Sequence, residues 1–264
     1  MLELKNISKT FHPGTVNAKV ALDGLNLTLN DGDFVTVIGS NGAGKSTMLN
    51  AIAGVFEVDE GSIVIDGKDV TRLPEFKRAA YLGRVFQDPM MGTAPNMMIE
   101  ENLALAARRD KRRGLKWGIS DAEREVYREQ LKILGLGLEN RMSAKVGLLS
   151  GGQRQALTLL MAGMEKPKLL LLDEHTAALD PKTAAKVLEI SDKIVEENHL
   201  TTLMVTHNMK DAIAHGNRLI MMDSGKVILD ISGEEKKKLT VPQLLEMFSK
   251  AGGSDDVNDK MLLS

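Results

Sequence analysis

Residues 34–53 read FVTVIGSNGAGKSTMLNAIA, and three signals meet within them. Phe34 to Ile38 is an unbroken apolar run that stops at a glycine, the pattern of a central strand buried on both faces. Lys45 to Ala53 predicts a helix. Joining them is Gly39-Ser40-Asn41-Gly42-Ala43-Gly44-Lys45-Ser46, which fits the phosphate-loop pattern G-x-x-x-x-G-K-[ST], with Thr47 beside it a further nucleotide-binding candidate. Glycines let backbone amides close around phosphate oxygens, at a helix start whose dipole favours negative charge. Lys45 adds a point charge for the terminal phosphates, and the Ser46 hydroxyl suits Mg²⁺. A glycine-rich structural turn would satisfy the pattern alone; the strand before it and the helix after it separate the two readings.

Outward from this stretch, strands and helices alternate. Leu25, Leu27 and Leu29 alternate with polar residues up to Asp31-Gly32, and further strands are predicted near 62–65 and 81–86. From about 88 to 165 the chain reads mostly helical. Ser120-Asp121-Ala122-Glu123 fits a capping box opening a helix to about Leu134. Strands return near 168–172, 201–205, 219–222 and 226–229, with a helix from Pro181 to about Glu197. The order implies an α/β fold with a mainly parallel sheet covered on both faces. The helical block 88–165 reads as an insertion into a domain spanning 1–230. Residues 231–264 read as a short extension, with 234–238 a mixed-charge, solvated helix start or linker and 252–264 a frayed tail.

Composition sets outer bounds. At 264 residues the chain is long enough for a large core, and a net charge of −2 gives no global basic field for nucleic acid. The absence of cysteine excludes disulfides, thiolate metal sites and a cysteine nucleophile. The N-terminus lacks a signal-peptide core, and no apolar run approaches the roughly 18–20 residues that span a bilayer. The expectation is a soluble, cytoplasmic protein that reaches a membrane only through a partner.

Two further motifs carry chemistry. Lys168-Leu-Leu-Leu-Leu-Asp173-Glu174 predicts a buried strand delivering two carboxylates at its C-terminal end, where α/β sheets bind ligands. Asp173 would hold Mg²⁺ and Glu174 would orient or deprotonate an attacking water. Leu149-Ser150-Gly151-Gly152-Gln153 opens the apolar helix ALTLLMAG, and its glycines leave backbone amides facing outward, a second anion site.

With these motifs in this order, the chain resembles the nucleotide-binding subunit of an ATP-binding cassette (ABC) transporter, whose signature is LSGGQ. The resemblance covers essentially residues 1–230. It implies a P-loop NTPase (RecA-like) core with an antiparallel β subdomain and an inserted α-helical subdomain. It also implies a head-to-tail dimer in which each ATP lies between one subunit's phosphate loop and the other's signature helix. Ser150, Gly151, Gly152 and Gln153 would then serve the partner's nucleotide. Gln87, in Val-Phe-Gln-Asp-Pro, resembles the glutamine that senses Mg²⁺ and water, and His207 the switch histidine at the γ-phosphate. Asp180, in Ala-Leu-Asp, matches a loop that crosses the dimer interface. Phe11 stands where the family stacks an aromatic on adenine, though a core role would suit it equally. One departure follows Glu174: the family commonly has Pro-Thr-Ser, and here the residues are His175-Thr176-Ala177.

Met90, Met91, Met97 and Met98 lie beside the segment where the family's membrane subunits insert a coupling helix. Methionine suits adaptable apolar grooves, and ordinary core packing is the alternative. The basic run 108–113 reads as a solvated loop, with contact to anionic lipid headgroups as its alternative. The resemblance implies ATP and Mg²⁺ as ligands and an ATPase at the cytoplasmic face of a membrane. Its partners would be a second copy, integral permease subunits and an extracellular substrate-binding protein. A separate chain of this kind matches the prokaryotic importer arrangement, and DEHTAALDP resembles a set suspected of carrying aromatic amino acids such as tryptophan or tyrosine. A non-transport ABC ATPase acting on ribosomes or DNA is the rival. It is disfavoured by the single cassette and by the lack of a long coiled-coil insertion.

Overall fold

The computed structural model describes residues 1–109, 111 and 118–251. The tail 252–264 lies outside the described residues, as do Asp110 and Arg112 to Trp117, where part of the basic-run reading falls. In chain order the elements begin with β1 (Leu2–Phe11), β2 (Lys19–Leu29), β3 (Phe34–Gly39) and α1 (Lys45–Ala53). Next come β4 (Glu60–Ile65), β5 (Lys68–Asp69), α2 (Glu75–Arg78) and β6 (Leu82–Val85). Then follow α3 (Ile99–Ala107), α4 (Asp121–Lys132), α5 (Gly151–Gly163), β7 (Leu169–Asp173) and α6 (Pro181–Asn198). The chain closes with β8 (Thr202–Val205), α7 (Met209–Ala214), β9 (Arg218–Asp223), β10 (Lys226–Ser232), α8 (Gly233–Lys237) and α9 (Val241–Lys250).

These elements form two compact units. The first takes residues 1–81 and 201–264, the second 82–200. In the first unit β3 runs parallel to both β8 and β9, and all six of its residues are buried. That is why its sequence is continuously apolar rather than alternating. β10 pairs antiparallel with β9, and β2, β1, β4 and β5 form a separate antiparallel sheet in that order. β1 has a break in its pattern: Leu2 and Leu4 are buried, then Ile7 is, because the register shifts where Asn6 adopts φ 52°.

The loop helix α1 is held from behind by Arg78. This buried side chain sends Nη1 to the carbonyls of Ala51 (2.7 Å) and Ile52 (2.9 Å), the last turn of α1. Its Nη2 reaches Thr71 O and its Nε reaches Leu73 O, each at 2.8 Å. The guanidinium thus occupies the negative end of the helix, where terminal carbonyls need donors. Burial holds its pKa below the usual arginine value.

After β10 the helix start is present, and only its expected solvation is corrected. Residues 233–237 form α8, and Lys236 is buried rather than solvated, its amine donating to the carbonyls of His215 and Gly216. α9 places Leu244 and Phe248 in a cluster with Ile38, Met209, Leu219 and Met221. Ile38 ends the strand that leads into the phosphate loop.

In the second unit β6 and β7 are parallel neighbours, with Arg84 opposite Leu171 and Val85 opposite Leu172. Ser120 and Glu123 make the expected capping box at the start of α4. The described part of the basic run is also not a free loop. Arg109 turns inward, donating to Leu82 O (2.9 Å) and Ala162 O (3.2 Å), and burial lowers its pKa.

Candidate nucleotide site

The candidate residues fall into two groups, one in each unit. In the first unit the loop 39–44 joins β3 to α1. Gly44 caps α1 with φ 99°, and a Cβ there would lie 2.5 Å from Ala21 O, so only glycine fits. Lys45 is 6% exposed, and its amine donates to Gly39 O (2.7 Å) and Ser40 O (3.0 Å) within the loop itself. Asn41, Gly42 and the first-turn Ser46 are exposed, Thr47 is half-buried and Ala43 is buried. Ser40 Oγ bonds Asp223 Oδ1 at 3.1 Å, tying the loop to the end of β9.

Phe11 ends β1 and is half-buried, with its ring edge-on to Phe56 at 5.3 Å between centroids. Lys9 Nζ stands 5.9 Å from the Phe11 centroid. Directly across the ladder from Phe11 is Lys19, whose amine comes within 3.5 Å of a Cβ position on Gly42. The sequence reading missed Lys19: an exposed lysine in a hairpin carries no signal until the register is known. His207 follows β8 and is half-buried. Asn208 caps α7 after it, accepting from Lys210 N and Asp211 N. Burial raises the Asp211 carboxyl pKa, against the opposing charges of His215, His207 and Lys210.

The second unit brings together the remaining residues. Asp173 ends β7, with Arg84 Nη2 3.5 Å from its Oδ2, and the Arg84 guanidinium lies 4.5 Å from the Phe86 ring centroid. Gln87 is exposed just beyond β6. Glu174 is half-buried and adopts φ 41°, the left-handed region that side chains other than glycine avoid.

A side-chain box opens the signature helix α5, on the amides of Ser150 and Gln153 and not on those of Gly151 and Gly152. Ser150 Oγ accepts from Gln153 N (3.3 Å) and Gln153 Oε1 accepts from Ser150 N (3.2 Å), a reciprocal capping box. Gly151 is exposed and Gly152 is buried, with a Cβ at 152 falling 2.1 Å from Thr183 Cγ2. Asp180 caps α6 by accepting from Thr183 N (3.1 Å), and its bonds to Thr183 hold its carboxyl below the usual range. Met90, Met91 and Met98 are exposed and Met97 is half-buried, so this stretch is not ordinary core. Leu148, beside the signature, is 72% exposed.

The described residues contain no group of three or more acidic, histidine or cysteine side chains that could hold a metal, and no helix among them is long and apolar enough to cross a membrane. The strand, loop and helix around Lys45 define a P-loop nucleotide-binding fold. Residues 22–177 match the family described as ABC transporter. The chain is 47% identical over 251 residues to a tyrosine transport ATP-binding protein of Clostridioides difficile (strain R20291), covering 95% of this chain and all of that protein. It is 35% identical over 237 residues to a spermidine/putrescine import ATP-binding protein of Haemophilus influenzae, spanning 89% of this chain and 59% of that longer protein. Among solved structures, the dimeric post-hydrolysis state of an ATP-binding cassette bound to ADP and Pi matches with a TM-score of 0.74 at 33% identity. That match covers 88% of this chain and 98% of the other. The chain belongs to the ABC transporter family, as its nucleotide-binding, ATP-hydrolysing subunit.

Proposed function

We propose that this subunit powers import across a membrane, binding as a peripheral ATPase to integral permease subunits on the cytoplasmic face. Two copies would each bind ATP and close head to tail, then reopen after hydrolysis. Work on the membrane partner follows from differential affinity for the closed state. The observation that carries this reading is the placement of the family's motifs: the loop between β3 and α1, Asp173-Glu174 at the end of β7, and Ser150 capping α5.

In this reading the amides of residues 39–44 and the Lys45 amine hold the phosphates, and Phe11 stacks on the adenine. Ser46, Gln87 and Asp173 supply the oxygen ligands that suit Mg²⁺, which when bound would neutralise charge on the β- and γ-phosphates. Glu174 orients the attacking water and accepts its proton, and His207 contacts the γ-phosphate. Ser150, Gly151, Gly152 and Gln153 present their helix start to the nucleotide of the other copy, and Asp180 belongs to the same seam. The segment with exposed Met90, Met91 and Met98 and half-buried Met97 is the proposed seat of a permease helix, and an extracellular binding protein completes the system. The cargo proposed is an aromatic amino acid such as tyrosine or tryptophan, on the full-length similarity to the tyrosine transport relative.

The decisive variant is Glu174→Gln. It should bind ATP normally, hydrolyse it at least about a hundredfold more slowly, and accumulate as a dimer in size-exclusion chromatography with ATP. Near-normal hydrolysis would refute the role of Glu174. Uptake of labelled tyrosine by the reconstituted complex tests the cargo.

A further inference from the structure

Where the family commonly carries a proline after its strand-end glutamate, this chain carries His175. That histidine is 2% exposed, in a segment otherwise half-buried or exposed. Its Nε2 lies 3.0 Å from Ser191 Oγ in the middle of α6, and Ser191 is itself fully buried. The Ser191 hydroxyl donates its proton to Val187 O at 2.9 Å. With the proton so placed its oxygen is free to accept from an Nε2–H of the imidazole, the tautomer that fits this pair.

Glu174, one residue back, sits at φ 41°. Such a conformation persists only where its surroundings hold it. Two turns follow it directly, Ala177 N to Glu174 O (3.0 Å) and Leu179 N to Thr176 O (3.1 Å), before Asp180 caps α6. A proline would restrain the backbone through its own ring. Histidine has no such restraint, and the bond to Ser191 supplies one from the side chain. We infer that the His175–Ser191 pair is a positioning device that holds the Glu174 backbone, and so the carboxylate that orients the attacking water. This rests on the assignment of Glu174 to hydrolysis. His175 itself touches neither nucleotide nor water in this scheme.

The test uses full-length Ser191→Ala, His175→Ala and His175→Gln beside Glu174→Gln, each measured for kcat, ATP KM and melting temperature. Ser191→Ala removes one oxygen from a helix interior. It should lower kcat roughly tenfold, because a misplacement of about 1 Å can cost up to a hundredfold, while KM stays near wild type and melting falls by only a few degrees for the one lost buried bond. His175→Ala should lower kcat at least as far. Glutamine carries an N–H donor at a similar reach, so His175→Gln should recover most of the rate. Adding Ser191→Ala to Glu174→Gln should cause no further loss, since both act through one carboxylate. Unchanged kcat in Ser191→Ala and His175→Ala, with Glu174→Gln inactive, overturns the positioning role alone. A fall in kcat together with a raised KM, without rescue by glutamine, overturns it too, as plain packing. An active Glu174→Gln overturns both the positioning role and the assignment beneath it.

Discussion

Replacing Arg78 by methionine should loosen the helix that carries Lys45 and Ser46, although Arg78 lies at the helix's far end. The substitution keeps an apolar stem and deletes every donor. Ala51 O keeps the amide of Gly54, but the carbonyls of Ile52, Thr71 and Leu73 lose their bonds to the guanidinium. At about 1 kcal/mol for each buried acceptor, this removes about 3 kcal/mol. Loss of a cation at the C-terminus of α1 adds about 0.5–1 kcal/mol, and release from burying a charge offsets about as much. The expected net loss of about 3 kcal/mol corresponds to about 6–12 °C in melting temperature for a chain of this size. Scanning calorimetry reads it directly, and Arg78→Lys, with a positive head but no planar fork, should fall between. If Arg78→Met melts within about 2 °C of wild type, the four carbonyls do not depend on this side chain and the account of how α1 is anchored fails.

Three further outcomes are expected. Gly152→Ala pushes a methyl into Thr183 Cγ2 and should cost about 1–3 kcal/mol by overpacking. Adding Thr183→Ser, which removes that methyl, should restore the melting temperature; no recovery would refute the contact. Phe248→Ala opens a cavity in the cluster beneath β3 and should destabilise by about 3–4 kcal/mol in urea unfolding, where a tail packed on nothing would cost nothing. Asp211 has a folded-state pKa above its unfolded one, so its contribution to stability is full below the unfolded pKa and is lost as pH rises through the folded value. Asp211→Asn should therefore raise the urea midpoint at pH 8, with the gain vanishing below about pH 4; a lowered midpoint at pH 8 would refute it.

How legible each element is in sequence depends on whether its signal is local. β3 and α1 are readable because a buried run, glycines and a helix start lie within twenty consecutive residues. The box at Ser120 is readable for the same reason. β1 hides because the bulge at Asn6 breaks the two-residue alternation between Leu4 and Ile7. The box at Ser150 and Gln153 has the right spacing too, but it goes unread beside the two glycines between its members. α9 carries Leu244 and Phe248 four apart after a Thr240–Gln243 box, yet it reads only as part of a short extension because it lies outside the span of the recognised motifs. Arg78, Lys19 and Lys236 are beyond any local pattern. Their partners are carbonyls or loops that only the fold brings near, so a charged residue in a polar segment reads as solvated until the structure supplies the acceptor.

The pairing of β3 also sets a schedule for synthesis. Val35 lies against Leu203 on one side and Arg218 on the other, and Ile38 shares its core cluster with Phe248, so the strand that feeds the phosphate loop emerges from the ribosome long before any of these neighbours. The second unit, by contrast, is contiguous in sequence. Until the last elements are made, Phe34 to Ile38 is an unpaired, uncharged, β-prone segment of the kind that sticks to others like it. Truncation, slow translation or premature termination near the C-terminus therefore threatens first the segment that binds ATP, though it lies near the other end of the chain.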